Sequence, residues 1–187
     1  VGDRRDLLDL LLEVQSLDRL PRTGYLLRGV RDPESIAEHQ YQLALLVWLL
    51  AGRERELDRG RAVEMALLHD LAELRTGDLP RTATGYFGAD AKHAAERAAL
   101  EDLLAPADGR ALDVYAEYRR GESAEARFVR DCDKLQLMLK VTVYEAWGDR
   151  GMTDFWDHPE NFPGSEFGSV RETFEALAER RALRPSP

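Results

Sequence analysis

Apolar residues recur at helical spacing along nearly the whole chain, and this periodicity constrains the fold more than any other feature. Leu7, Leu8, Leu11, Leu12 and Val14 do so in the first segment, and Ala62, Val63, Ala66, Leu67 and Leu71 in a later one. β-branched residues nowhere alternate with polar ones over a useful length, so strand signals are scarce. Pro21, Pro33, Pro80, Pro106, Pro159 and Pro163 fall between helical patterns, and Pro185 and Pro187 lie in the tail. The pattern predicts an all-α fold with helices over 3–19, 34–51, 60–75, 89–105, 109–120, 123–148 and 165–182. Asp32-Pro33-Glu34 reads as an N-cap, a first-turn proline and an acidic first turn. Segments 76–88 and 149–164, rich in Gly, Pro and Asp, read as loops. No repeat, low-complexity tract or linker divides the chain, and 187 residues suffice for one domain with a real core over 1–187.

The longest purely apolar run, Leu43 to Ala51, is well short of the roughly 20 residues that span a bilayer. No membrane association and no secretion signal are expected. The net charge of −9, without a Lys/Arg block, argues against nucleic-acid binding. It leaves room for a small anionic substrate, because a few arginines and a metal dominate the field inside a cleft. The one cysteine, Cys132, excludes an internal disulfide, fits a cytoplasmic protein, and is expected to be a buried apolar residue.

His69-Asp70 sits near the end of an apolar helix, after Ala66-Leu67-Leu68 and before Leu71. A charged Asp in such a stripe is costly unless something cationic pairs with it. Glu73 follows one helical turn after His69, and Asp78 lies just beyond the helix end. His39 opens the long apolar helix, and Asp133 shares a face with Val129 and Leu137. Asp131, beside Phe128 and Leu135, competes with Asp133 on periodicity. Two imidazoles and two carboxylates in apolar helices form a coherent set if they meet around a divalent cation. Such mixed ligands suit Mn, Fe, Co, Ni or Zn better than Ca. Among the aromatics, Trp48 reads as core, Trp147 and Trp156 as packing residues, and Tyr144 as a buried tyrosine with a satisfied hydroxyl.

The order His, His-Asp, Asp resembles the HD superfamily of metal-dependent phosphohydrolases. The likeness extends to its small single-domain 5′-deoxynucleotidases. It is carried by Leu20-Pro21-Arg22-Thr23-Gly24-Tyr25, Arg28-Gly29-Val30, Pro33-Glu34-Ser35-Ile36-Ala37-Glu38-His39, His69-Asp70-Leu71-Ala72-Glu73 and Thr76-Gly77-Asp78-Leu79-Pro80. Lys92-His93 with Glu96, Ser123-Ala124-Glu125-Ala126-Arg127-Phe128-Val129, and Asp133-Lys134-Leu135 with Tyr144-Glu145 extend it over roughly 7–148.

The resemblance implies an HD-domain helical bundle with the metal site among its central helices, and a C-terminal loop and helix over 149–187 to which nothing functional is transferred. It implies His39, His69, Asp70 and Asp133 as ligands of a divalent metal (Mn, Co, Fe, Ni, Mg or Zn). It further implies Glu73 and Asp78 as catalytic carboxylates, and Arg22 as the phosphate contact, with Tyr25 beside the substrate; Arg28 reads either as a second substrate contact or as a solvated surface charge. Tyr25 stands where the family commonly has Trp, which bears on sugar preference. The implied reaction is hydrolysis of a 5′-deoxynucleoside monophosphate to nucleoside and phosphate, by a homodimer. The alternatives are another nucleotide or phosphodiester substrate, and a non-catalytic nucleotide-binding module. A di-iron oxygenase needs extra histidines between the doublet and the last Asp, where the sequence has only His93.

Overall fold

A computed structural model gives the fold and describes residues 2–106 and 109–183. Helix α1 (Gly2–Val14) runs into a 3-10 turn (Gln15–Arg19), followed by the single turn α2 (Thr23–Leu26). Then come α3 (Ile36–Ala51), α4 (Arg59–Leu68), α5 (Glu73–Thr76), α6 (Arg81–Phe87), α7 (Ala89–Leu103) and α8 (Arg110–Arg120). The chain continues through α9 (Ala124–Trp147), α10 (Thr153–Asp157), a second 3-10 turn (Pro159–Asn161) and α11 (Gly168–Ala182). Among the described residues there is no strand, so the fold is all-α, as the periodicity predicts. None of these helices is long and apolar enough to cross a membrane.

Several local expectations are corrected. The helix expected over 60–75 stops at Leu68, and residues 69–72 are turns. Bonds from Leu71 N–H to Leu68 O (3.2 Å), Glu73 N–H to Asp70 O (3.0 Å) and Leu74 N–H to Leu71 O (3.2 Å) tighten the chain there. Glu73 therefore opens a new short helix instead of continuing the face of His69. The loop expected over 76–88 contains α6, entered at Pro80, and the loop over 149–164 contains α10 and a 3-10 turn. Helix α3 starts at Ile36, not at Pro33. Ser35 is the cap: its hydroxyl accepts the Glu38 N–H, and the Glu38 carboxylate accepts the Ser35 N–H. The residues before it are held extended by a bridge between Pro21 and Ser35, with Arg22 N–H on Glu34 O (2.9 Å) and Ile36 N–H on Leu20 O (2.8 Å). The expected prolines of the chain interior all lie outside the α-helices, while Pro185 and Pro187 lie outside the described residues.

Two apolar clusters hold the helices. The larger joins Leu43 and Val47 of α3, Met65 and Ala66 of α4, Val114 and Tyr118 of α8, Phe128, Leu135 and Met138 of α9, and Val170 and Phe174 of α11. The smaller joins Leu10, Leu17, Ile36, Leu71, Ala72, Leu100, Leu103 and Tyr115. Each fully buried aliphatic or aromatic side chain contributes about 1.5–3 kcal/mol by leaving water. Leu68 packs against both clusters, so the next two residues, His69 and Asp70, fall on the seam between them.

Cys132 and Tyr144 are buried as expected, the tyrosine hydroxyl accepting the Glu34 N–H at 2.7 Å. Trp156 also packs inside, with its N–H on Glu145. Trp48 is not core: its ring is half exposed and covered on one side by the Arg59 guanidinium, because the opposite face of α3 carries Leu43 and Val47 inward. Trp147 is likewise mostly exposed, touching Tyr144 edge-on. On α1 the leucine stripe is narrower than its periodicity suggests. Leu10 and Val14 meet the smaller cluster, and Leu7, Leu8, Leu11 and Leu12 are exposed.

Gly77, between the doublet's turn and Asp78, has φ +73° and ψ 161°, a conformation essentially restricted to glycine. Gly77→Ala is expected to lower the unfolding free energy by about 1–3 kcal/mol in urea titration. Gly85→Ala, inside α6 with open space where the methyl would go, is expected to raise it by about 0.5–1 kcal/mol. Equal effects at the two positions would contradict the assigned backbone.

Candidate metal centre and cleft

Three helical segments bring four side chains to the seam. His39 enters from the first turns of α3, His69 and Asp70 from the end of α4, and Asp133 from the middle of α9. His39 Nε2 lies 3.3 Å from His69 Nε2, 3.6 Å from Asp70 Oδ2 and 3.3 Å from Asp133 Oδ1. His69 Nε2 lies 3.1 Å from Asp70 Oδ2. Both rings are buried, and both carboxylate side chains are about a fifth exposed.

The other ring nitrogens fix what those atoms can offer. His39 Nδ1–H donates to Gln136 Oε1 (2.8 Å) and His69 Nδ1–H to the Ala66 carbonyl (2.8 Å). Each neutral ring therefore points an Nε2 lone pair at the other, and Asp133 Oδ1 is buried with no hydrogen-bond donor. Three acceptor atoms, His39 Nε2, His69 Nε2 and Asp70 Oδ2, cluster where burial makes unpaired acceptors costly, and Asp133 Oδ1 adjoins them through His39. Two arrangements relieve this: a proton trapped on an imidazole, or a bound cation. The charges around His69 favour the first. Burial alone would lower its pKa, but the adjacent Asp70 carboxylate outweighs burial and raises it. The second fits the spacing, since neighbouring ligands at right angles on a cation with bonds of about 2.1 Å lie about 3 Å apart.

The cluster opens into a cleft of about 530 Å³ whose walls include Arg22, Glu73, Asp78, Arg28, Lys92 and Asn161. Arg22 Nη1 donates to Asp70 Oδ2 at 3.0 Å. Burial acts to lower the Arg22 pKa, but Asp70, Asp78, Glu73 and Asp133 overcome it and hold the guanidinium charged. The Asp78 carboxylate accepts the Thr23 N–H (2.5 Å), and the Thr23 hydroxyl donates to the Asp78 carbonyl (2.9 Å). This ties the Arg22 segment to the Gly77 turn. Glu73 is buried, and its Oε2 has no partner. Burial first, then the Asp70 and Asp78 charges, push its pKa well above the ordinary carboxylate range. Asp70 moves the other way, because His69, Arg22 and His39 outweigh its burial.

Tyr25 borders the cleft but is only 2 % exposed; its hydroxyl donates to the Leu137 carbonyl, and its ring packs on Tyr144 and Phe155. Arg28 sits at the wall against Phe155 and Asp154. Its backbone is fixed by Gly151, where a Cβ would come within 2.4 Å of the Arg28 carbonyl oxygen. Asp131, the competing carboxylate, turns away from the cluster to accept the Ser165 hydroxyl. His93 is exposed on α7 and is not among the clustered residues. Gln136, Glu34 and Lys140, which surround His39, carried no functional role in the sequence reading. Their signal is faint: one amide between Leu135 and Leu137, and two charges flanking apolar helix faces.

The HD domain family matches residues 14–158. The 5′-deoxynucleotidase HDDC2 of Bos taurus is 34% identical over 169 residues, covering 83% of this chain and 80% of that protein. The human protein of the same name is 33% identical over 83% of this chain and 81% of its own length. Among solved structures, a conserved hypothetical protein from Pyrococcus furiosus superposes with a TM-score of 0.79 at 32% identity, covering 94% of this chain and 99% of that one. A predicted metal-dependent phosphohydrolase from Magnetospirillum magnetotacticum, 23% identical, shares the fold with a TM-score of 0.67. With the His-Asp doublet seated between two helices that supply a further histidine and aspartate, and with the family match spanning most of the sequence, the chain belongs to the HD domain family.

Proposed function

We propose that this protein is a metal-dependent phosphomonoesterase that hydrolyses 5′-deoxynucleoside monophosphates to nucleoside and inorganic phosphate. The observation that carries the proposal is the cluster of His39, His69 and Asp70, with Asp133 against His39, at the floor of a cleft that also holds Arg22, Glu73 and Asp78. These four residues would hold the divalent cation. When bound, it would supply Lewis acidity toward a phosphate oxygen and a water of lowered pKa. The identity and roughly 80% coverage of the HDDC2 relatives support the substrate class.

The chain's own residues divide the remaining work. Arg22 presents a permanently charged guanidinium, steadied by Asp70, to the substrate phosphate and offsets charge that builds on it. Asp78, anchored through Thr23, takes the proton of the attacking water. Glu73, whose surroundings favour its protonated form, gives its proton to the 5′-oxygen as the P–O bond breaks. The nucleoside thus leaves as a neutral alcohol. Tyr25 closes the inner wall beside the sugar, and Arg28 the outer one.

Phosphate release should be assayed on a panel of deoxy and ribo 5′-monophosphates, after metal removal and add-back of Mn, Co, Mg or Zn. Metal-dependent release from the deoxynucleotides is expected, and it should vanish in His69→Ala and Asp70→Asn. No release with any metal, from folded and metal-loaded protein, contradicts the proposal.

Glu73 acting as an acid fixes the sign of the pH dependence. Its pKa is raised, so the productive protonated form persists to higher pH than for an ordinary carboxylate and is lost as pH rises above that pKa. Glu73→Gln is expected to lower kcat by about 10²–10⁴-fold and to remove the alkaline fall in the kcat profile. An unchanged alkaline limb assigns the proton donor elsewhere.

A further inference from the structure

One face of α9 carries Asp133, Gln136, Lys140 and Tyr144 at steps of three, four and four residues, a polar stripe on a helix whose neighbouring residues Leu135, Met138 and Val141 are core. The stripe lies along Glu34 and His39, and it makes a connected chain of contacts. His39 Nδ1–H donates to Gln136 Oε1 at 2.8 Å. The Gln136 amide nitrogen donates to Glu34 Oε2 at 3.0 Å and to Gln42 Oε1 at 3.2 Å. Lys140 Nζ lies 3.2 Å from the same Glu34 oxygen, and the Tyr144 hydroxyl accepts the Glu34 backbone N–H. Glu34 is 3 % exposed, Gln136 3 % and His39 fully buried.

The direction of this chain is forced. A carboxylate accepts only, so the Gln136 NH2 must face Glu34 and its oxygen must face His39. An amide oxygen at 2.8 Å from Nδ1 requires a proton on Nδ1, which leaves Nε2 as the bare nitrogen facing the cluster. A buried Glu34 carboxylate is tolerable because Lys140 neutralises it. Each link therefore determines the next, from an ion pair at the edge of the bundle to the lone pair at its centre. His69 needs no such device: the Ala66 carbonyl of its own helix fixes its tautomer directly.

We propose that Gln136, oriented by the Glu34–Lys140 ion pair, is a positioning residue that fixes His39 in the tautomer able to bind a metal through Nε2. This role rests on the metal-site function proposed above, but the tautomer can be read without any metal.

The test uses the full chain. Two-bond 15N–1H spectra of the metal-free protein at pH 8 report which ring nitrogen of His39 carries the proton, and calorimetric titration with Mn2+ reports affinity. The wild type is expected to show Nδ1–H. Glu34→Gln keeps shape but frees the Gln136 amide to turn over, so it is expected to mix the tautomers and weaken Mn2+ binding about 10–100-fold. The exchange Glu34→Gln with Gln136→Glu returns an acceptor-only group to His39, and it is expected to restore a single tautomer and most of the affinity. It also guards against misfolding of the single variant, since only a relay acting through hydrogen-bond direction is repaired by the exchange. A His39 Nε2–H in the wild type, or a single tautomer and unchanged affinity in Glu34→Gln, overturns the proposal. A wild type that shows Nδ1–H yet binds no metal leaves the relay standing and contradicts the metal-site function instead.

Discussion

The centre of this protein is a repulsion. His39 Nε2, His69 Nε2 and Asp70 Oδ2 lie 3.1–3.6 Å apart, Asp133 Oδ1 lies 3.3 Å from His39 Nε2, and none of them brings a donor to the others when the imidazoles are neutral. Such a concentration of acceptors persists only if the surrounding structure supplies the energy to hold it and a positive charge relieves it. The packing supplies the first. α3, α4 and α9 are fixed by the larger apolar cluster, and the turns at 69–72 are fixed from the other side by Leu71 and Ala72 in the smaller one. Around the cluster, Arg22 pairs with Asp70, Lys134 with Asp133, and Lys140 stands behind His39 through Glu34 and Gln136.

The same geometry separates the carboxylates by role. Asp70 lies against His69 and Arg22 and is held ionised, whereas Glu73, three residues on, faces burial and two negative neighbours and is pushed toward its protonated form. Had α4 continued as the sequence pattern suggests, Glu73 would share the face of His69. The tightened turn at 69–72 and the Gly77 backbone instead set Glu73 and Asp78 on the wall of the cleft. The chain is strongly acidic overall, yet an anionic phosphate can be received here because Arg22, Arg28 and Lys92 line the same space.

Much of this was legible in the sequence. The all-α fold follows from periodicity, since Ala62, Ala66 and Leu71 occupy the interior their spacing predicts, although Leu67 is half exposed. The four candidate ligands were legible as polar anomalies in apolar helices, but the expectation that they meet came from resemblance, because spacing along the chain carries no information on contacts between helices. Asp131 and Asp133 show this: each has apolar neighbours, and only the packing of α9 turns one to Ser165 and the other to His39. Short helices were missed where their start depends on tertiary contact. α6 follows Pro80 and α10 follows Met152 without a side-chain cap to announce either. Trp48 misled because an aromatic in an apolar run is usually inside, whereas α3 is apolar on more of its circumference than the core can cover. Gln136 and Glu34 were invisible as functional residues, since a buried amide acquires meaning only from what it faces.

The central claim is that His39, His69, Asp70 and Asp133 are metal ligands, and X-ray absorption of the Co2+-loaded protein tests it most directly. One ion per chain, with scattering from two imidazoles that drops to one in His39→Ala, is the expected result. An ion bound without imidazole scattering, or with the same scattering in that variant, would contradict the assignment.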